Sequence, residues 1–122
     1  MDFANEERRI PVSMVSGAVY ASIQLDPDTI LLQWLREDLL NLTIKYGARG
    51  VLLDVSGITI LDGESFVQIV NTTHMLKLIG AKTIVVGLRP GIIAGLCALN
   101  VALNAIQGAN SVAQALELLD GR

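Results

Sequence analysis

Gly50-Val51-Leu52-Leu53-Asp54-Val55-Ser56-Gly57-Ile58-Thr59-Ile60-Leu61-Asp62 holds two signals in tandem. Residues 50–55 form a short, continuous apolar run with a single acid near its end. A run of this length with β-branched residues reads as a strand buried on both faces, the kind found inside a parallel sheet. Ser56 to Leu61 then makes a connection anchored by Ile58, Ile60 and Leu61. Asp62 or Gly63 starts a helix whose inner stripe is Phe66, Ile69, Val70, Thr73 and Leu76, and Gly80 stops it.

The same alternation extends in both directions. Downstream, residues 82–87 form another buried strand around Thr83-Ile84-Val85-Val86. Pro90 opens a short helix with Ile92, Ile93, Leu96 and Leu99 inside, and Cys97 reads as packed among them. Residues 104–107 form a weak strand. Ser111 with Gln114 is a capping box ahead of a last helix facing inward through Val112, Ala115, Leu116 and Leu119. Upstream, residues 10–16 and 18–24 read as two strands reversed at Ser16-Gly17, with Val19, Ala21 and Ile23 on the buried face. Asp26-Pro27-Asp28 is a helix start in which Asp26 is expected to cap. Leu31, Trp34, Leu35, Leu39 and Leu42 recur at helical spacing until Gly47. Residues 1–9 are polar and expected to form a flexible arm before a single domain over 10–122. The order β-β-α-β-α-β-α-β-α implies an α/β fold with a mixed, mostly parallel sheet of about four or five strands and about four helices.

Bulk properties narrow the function. The 122 residues suffice for one domain with a real core, and 52% of them are hydrophobic. No apolar run reaches the roughly 18 residues a membrane span needs, and the amino terminus lacks signal-peptide order. The expectation is therefore a cytoplasmic protein that does not contact membrane. A net charge of -3 disfavours nucleic acid, whose phosphates demand a clustered basic surface. A single cysteine excludes a disulfide framework, and a single histidine excludes a multi-histidine metal site. No phosphate-binding glycine loop, nucleophile elbow or H-E-x-x-H is present. Asp54 at a strand end is a candidate catalytic acid, but a turn cap made with Ser56-Gly57 is the simpler reading. No metal, cofactor or catalytic residue is expected.

Several segments, in order and spacing, resemble the STAS family of sulfate transporters and anti-sigma-factor antagonists. Leu52-Leu53-Asp54-Val55-Ser56-Gly57 is similar to the family's strand ending in aspartate, a hydroxyl residue and glycine. Ile60-Leu61-Asp62 resembles the apolar pair and aspartate before its switch helix. Gly80-Ala81-Lys82, 18 residues after Asp62, and Gly87-Leu88-Arg89-Pro90 resemble later family turns. Arg9-Ile10-Pro11-Val12 and Ser22-Ile23-Gln24 are similar to segments of the small stressosome scaffold proteins. The resemblance covers roughly residues 9–120.

It implies a non-enzymatic interaction module, an anti-sigma-factor antagonist or stressosome scaffold. The implied partners are a serine-kinase-type anti-sigma factor or switch kinase and other STAS proteins, in homo- or hetero-oligomers. The implied switch region is Asp62, Gly63, Glu64 and Ser65, with Phe66 and Arg89 on the partner surface. In the family, the residue after the aspartate accepts phosphate, but Gly63 has no hydroxyl. Two readings stay open. Ser65, on a two-residue shift, or Ser56 is the phosphoacceptor. Otherwise the domain binds constitutively, with Glu64 supplying fixed negative charge. The alternatives are a small-ligand sensor for a nucleotide or lipid and a constitutive structural oligomer.

Overall fold

A computed structural model describes residues 10–99 and 103–121. Strands β1 (Val12–Val15) and β2 (Ala18–Ser22) form a hairpin, followed by helix α1 (Thr29–Tyr46) and strand β3 (Gly50–Asp54). Helix α2 (Gly63–Leu78), strand β4 (Lys82–Val86), helix α3 (Pro90–Ala98), strand β5 (Gln107–Ala109) and helix α4 (Val112–Leu119) complete the order, with a 3₁₀ turn at Leu103–Ala105. The strands lie side by side in chain order. β1 pairs antiparallel with β2, and every later neighbour pairs in parallel. The mixed, mostly parallel sheet and the expected element order are both present. The expected arm at residues 1–9 lies outside the described residues.

The architecture follows from handedness. Parallel crossovers are right-handed, so successive crossovers that step the same way across a sheet place their helices on one face. Leu31, Leu35 and Leu39 of α1, Phe66, Ile69 and Leu76 of α2, and Ile92 and Leu96 of α3 share one core with Val19, Ala21, Val51, Leu53 and Val85. The opposite face carries Ala18, Leu52, Ile84 and Val86, covered by α4 through Ala115, Leu116 and Leu119. β3 is buried on both sides, which is why its sequence shows no polar alternation.

The turns use local chemistry. Ser16 and Gly17 both have positive φ, 50° and 79°, the geometry of a two-residue reversal between twisted strands. Arg49 holds this end of the molecule together: it donates to the Ser16 carbonyl and pairs with Asp120 after α4 at 2.9 Å. Ser111 accepts from the Gln114 amide at 3.1 Å, and the Gln114 side chain accepts from the Asn110 amide at 2.7 Å. The capping box thus closes one residue earlier than its usual reciprocal partner.

Four local expectations change. Asp28, not Asp26, caps α1, accepting from the Leu31 amide at 2.8 Å, because the chain is still extended at Asp28. β5 begins at Gln107 rather than at 104, since the 3₁₀ turn occupies 103–105. Thr72 rather than Thr73 is the buried threonine of α2. In α3 only Ile92 and Leu96 are buried; Ile93, Cys97 and Leu99 are exposed, because nine residues on the sheet rim have one covered face.

Candidate functional site

The site is built where β3 ends and α2 begins. Asp54 fixes the exit of the strand. Its Oδ1 accepts from the Ser56 amide at 3.0 Å and the Ser56 hydroxyl at 2.7 Å, while Oδ2 accepts from the Tyr20 hydroxyl at 2.7 Å. Burial pushes the Asp54 carboxyl up, but the Ser56 and Tyr20 hydrogen bonds together outweigh it and hold it below the usual carboxylate range. The Tyr20 hydroxyl is raised, first because its proton is donated to Asp54 and then by burial. Asp54 thus closes the turn through Ser56, the simpler reading of this residue, and ties it to β2 through Tyr20.

The following loop is pinned at both edges. The Arg89 Nε donates to the Ser56 carbonyl at 2.9 Å, tying the entry of α3 to the loop. Ile58 is fully buried. Gly57 passes so close to β2's exit that an added Cβ would lie 2.8 Å from both the Gln24 Cα and the Ile23 carbonyl. Asp26 then grips the far side. Its Oδ1 accepts from the Thr59 amide at 2.7 Å and the Ile60 amide at 3.0 Å, and its Oδ2 accepts from the Thr59 hydroxyl at 2.9 Å. The Ile60 and Thr59 amides, and then the Thr59 hydroxyl, hold the Asp26 carboxyl below its ordinary value.

Asp62 starts α2 as its N-cap, accepting from the Ser65 amide at 2.7 Å. The side chain satisfies one of the free N–H groups of the first turn. Glu64 lies exposed in that turn, where negative charge is favoured by the helix dipole. Ser65 is turned inward and only 3% exposed. A phosphoryl group there would need the first turn of α2 to open. The exposed hydroxyl among the two candidate acceptors is that of Ser56. Phe66 is a core residue at 2% exposure, as the helical stripe implies and not on the partner surface as the family resemblance implies. The outward apolar residue of that turn is its neighbour Val67.

Asp62, Gly63, Glu64 and Ser65 therefore form one helical turn, and Ser56 and Arg89 sit together beside the preceding loop. A further residue whose role sequence reasoning misassigned is Asp26. Its signal was the pair of aspartates flanking Pro27, since one helix start uses one cap.

Two open depressions lie elsewhere. One, of about 320 Å³, is lined by Val85, Leu88, Ile93, Ile106 and Gln114. The other, of about 440 Å³, is lined by His74, Lys77, Lys82, Thr83 and Ile106 at the carboxyl end of α2. Among the described residues, no group of three or more His, Cys, Asp or Glu side chains is placed to hold a metal ion, and no helix is long and apolar enough to cross a membrane.

No protein-family model matches the chain. It is 29% identical over 97 residues to the RsbT co-antagonist protein RsbRA of Bacillus subtilis (strain 168), a match that covers 76% of this chain and 35% of that protein. The match thus spans about a third of that relative. The structure of a variant of Moorella thermoacetica RsbS superposes with a TM-score of 0.76 at 18% identity, covering 93% of this chain and 96% of that one. A chain from the molecular architecture of the stressosome gives 0.71 at 17% identity, covering 91% and 96%. The anti-sigma factor antagonist SpoIIAA in its unphosphorylated form gives 0.71 at 11% identity, covering 93% and 97%. The parallel sheet and these likenesses give this chain the fold shared by the STAS, anti-sigma-factor-antagonist-like domains, and its sequence is similar to part of an RsbT co-antagonist.

Proposed function

We propose that this domain is a stressosome-type STAS regulator that works by binding other proteins through the loop before α2 and the first turn of α2. Its partners are other STAS proteins and a serine-kinase-type anti-sigma factor or switch kinase. The likeness to an RsbT co-antagonist and to a stressosome chain supports this reading.

The observation that carries it is the composition of a rigid, surface-facing turn. Asp54, Arg89, Asp26 and Asp62 are each spent on fixing backbone. The Ser56 hydroxyl meets the Asp54 carboxylate only as part of a turn that the same carboxylate closes through the Ser56 amide, so the site presents a shape and a charge rather than a reaction. Gly63 removes the hydroxyl from the position the family modifies, and Ser65 is buried. Glu64 supplies a permanent negative charge in the same turn. The domain accordingly acts as a constitutive binder at this helix end, with Ser56 the remaining exposed candidate for phosphate.

Small-ligand sensing is the second reading, favoured by the depression with His74, Lys77 and Lys82. It lies toward the other end of α2, where His74 and Lys77 are about 15–20 Å along the helix from Glu64. The two readings therefore separate by mutation. Tagged protein isolated gently from its own cells is expected to bring STAS proteins and a serine kinase with it. Glu64→Lys should lower that recovery several-fold, because reversing a rim charge slows association, and Lys77→Ala should leave it unchanged. Recovery of the bare protein would overturn the binding-module reading.

A further inference from the structure

The two loops joined by Asp26 bring together exposed apolar residues from separate parts of the chain. Leu25, Ile30, Ile60 and Val67 are each more than half exposed. Singly, such residues need no explanation. Here each lies at, or one residue from, a hydrogen bond that crosses between elements. Leu25 precedes Asp26, and Ile60 donates to Asp26 at 3.0 Å. Val67 precedes Gln68, whose side chain donates at 3.0 Å to the carbonyl of Thr29, the residue before Ile30. The amino-terminal ends of α1 and α2 are thereby stitched side by side, and the four exposed residues flank the two stitches.

The two stitched segments carry charge of one sign. Residues 24–30 and 58–68 contain Asp26, Asp28, Asp62 and Glu64 and no Lys, Arg or His. Asp26 and Asp62 accept from neutral amides, which leaves their charge in place. Each helix amino terminus returns only about half a positive charge. With Asp28 set aside as the cap of α1, two helix ends still offset only about one of the other three negative charges.

We propose that this face docks an apolar protein segment flanked by lysine and arginine. The proposal rests on the reading of the α2 start as a binding surface and deepens it by naming the partner's chemistry and by extending the surface across to α1. Lys and Arg suit the rim because their stems cover apolar surface while their charged ends reach the carboxylates. A second copy of this chain does not suit it, since a two-fold contact would set the acidic ring against itself. Asp26 is the positioning residue: it ties the backbone beside Leu25 to the amide of Ile60.

The test uses the full chain labelled for amide NMR and two synthetic amphipathic helices of about 18 residues. One carries leucine on one face with flanking lysines. Its twin has glutamate in place of lysine. The basic peptide is expected to shift amides in segments 24–30 and 58–68, more weakly at high salt, and the acidic twin is not. The double variant Leu25→Ser with Val67→Ser should weaken binding about tenfold or more, given two lost apolar contacts. Both positions are exposed, so its spectrum should keep native dispersion. Asp26→Ala should weaken binding several-fold and speed exchange of the Thr59 and Ile60 amides. Equal binding of the acidic twin, shifts outside both segments, an unaffected double variant or no binding would overturn the proposal. So would a concentration-dependent dimer in sedimentation that the double variant removes.

The outcome is separable from the broader reading. If the double variant still recovers STAS proteins and kinase from cells while the peptide fails, the docking face is wrong and the regulator reading stands. If the peptide binds as expected but no such partner is recovered, the regulator reading falls alone.

Discussion

Asp62 and Gly57 illustrate two ways in which a single residue holds the site. Asp62 acts locally: its carboxylate accepts the Ser65 amide, and its position before a helical run announces that role in the sequence. Asp62→Ala is expected to cost about 1 kcal/mol, read as a lower urea midpoint with an unchanged slope. Gly57 acts at a distance. It faces the backbone of Gln24 and Ile23, which cannot yield as a side-chain tip would. Gly57→Ala should therefore cost about 1–3 kcal/mol by overpacking and should disturb the Asp26 contacts to Thr59 and Ile60. The measurement is urea unfolding together with amide exchange at those two residues. A neutral Gly57→Ala would mean that β2's exit and the loop can separate without loss.

Elements divide by how their contacts are encoded. α2 was legible from its cap to its terminal glycine because stripe, cap and stop lie within one continuous segment. α3 was legible only in its start: Pro90 gives the first turn, but the sequence could not show that nine residues on a rim bury just Ile92 and Leu96. α4 has a consequence of its own. Among the described helices it is the one that packs on Leu52, Ile84 and Val86, and Ala115 is its fully buried contact. Ala115→Asp would place an unpaired charge against that face. It is expected to cost about 3 kcal/mol or more, with dye binding to the uncovered sheet before global unfolding. If the variant melts like the parent, α4 is not needed to seal this side. The α1 start shows the limit of local rules. Asp26 and Asp28 both suit a cap, and the choice between them was made by Thr59 and Ile60, more than thirty residues away.

For the whole molecule, the two pinned carboxylates set a direction of pH dependence. Asp26 and Asp54 are both held below the ordinary aspartate value of about 3.9. A carboxyl whose folded pKa lies below its unfolded one contributes fully above the unfolded value. That contribution is lost as pH falls through the folded value. Stability should thus be flat near neutrality and decline below about pH 4. Thermal melts of the parent, Asp26→Ala and Asp54→Ala at neutral and acid pH check this: each variant should lose less on acidification than the parent. An equal loss would mean that these contacts are absent in solution. The acid range would also loosen the loop before α2, so partner binding should weaken there in the parent.

The sequence by itself determined the element order, the mostly parallel sheet and the start of α2. These depend on hydrophobic period, caps and handedness, which are properties of neighbouring residues and of chirality. It also located Asp62, Gly63 and Glu64 in one turn, since they are consecutive. Only the tertiary structure decided that Ser65 faces the core, that Cys97 faces solvent, and that Asp26 holds the loop before α2. A helix pattern gives the spacing of a buried stripe but not how wide a neighbouring sheet covers it. A hydrogen bond across thirty residues leaves no periodic trace, because its two ends meet only after β2 and β3 have paired.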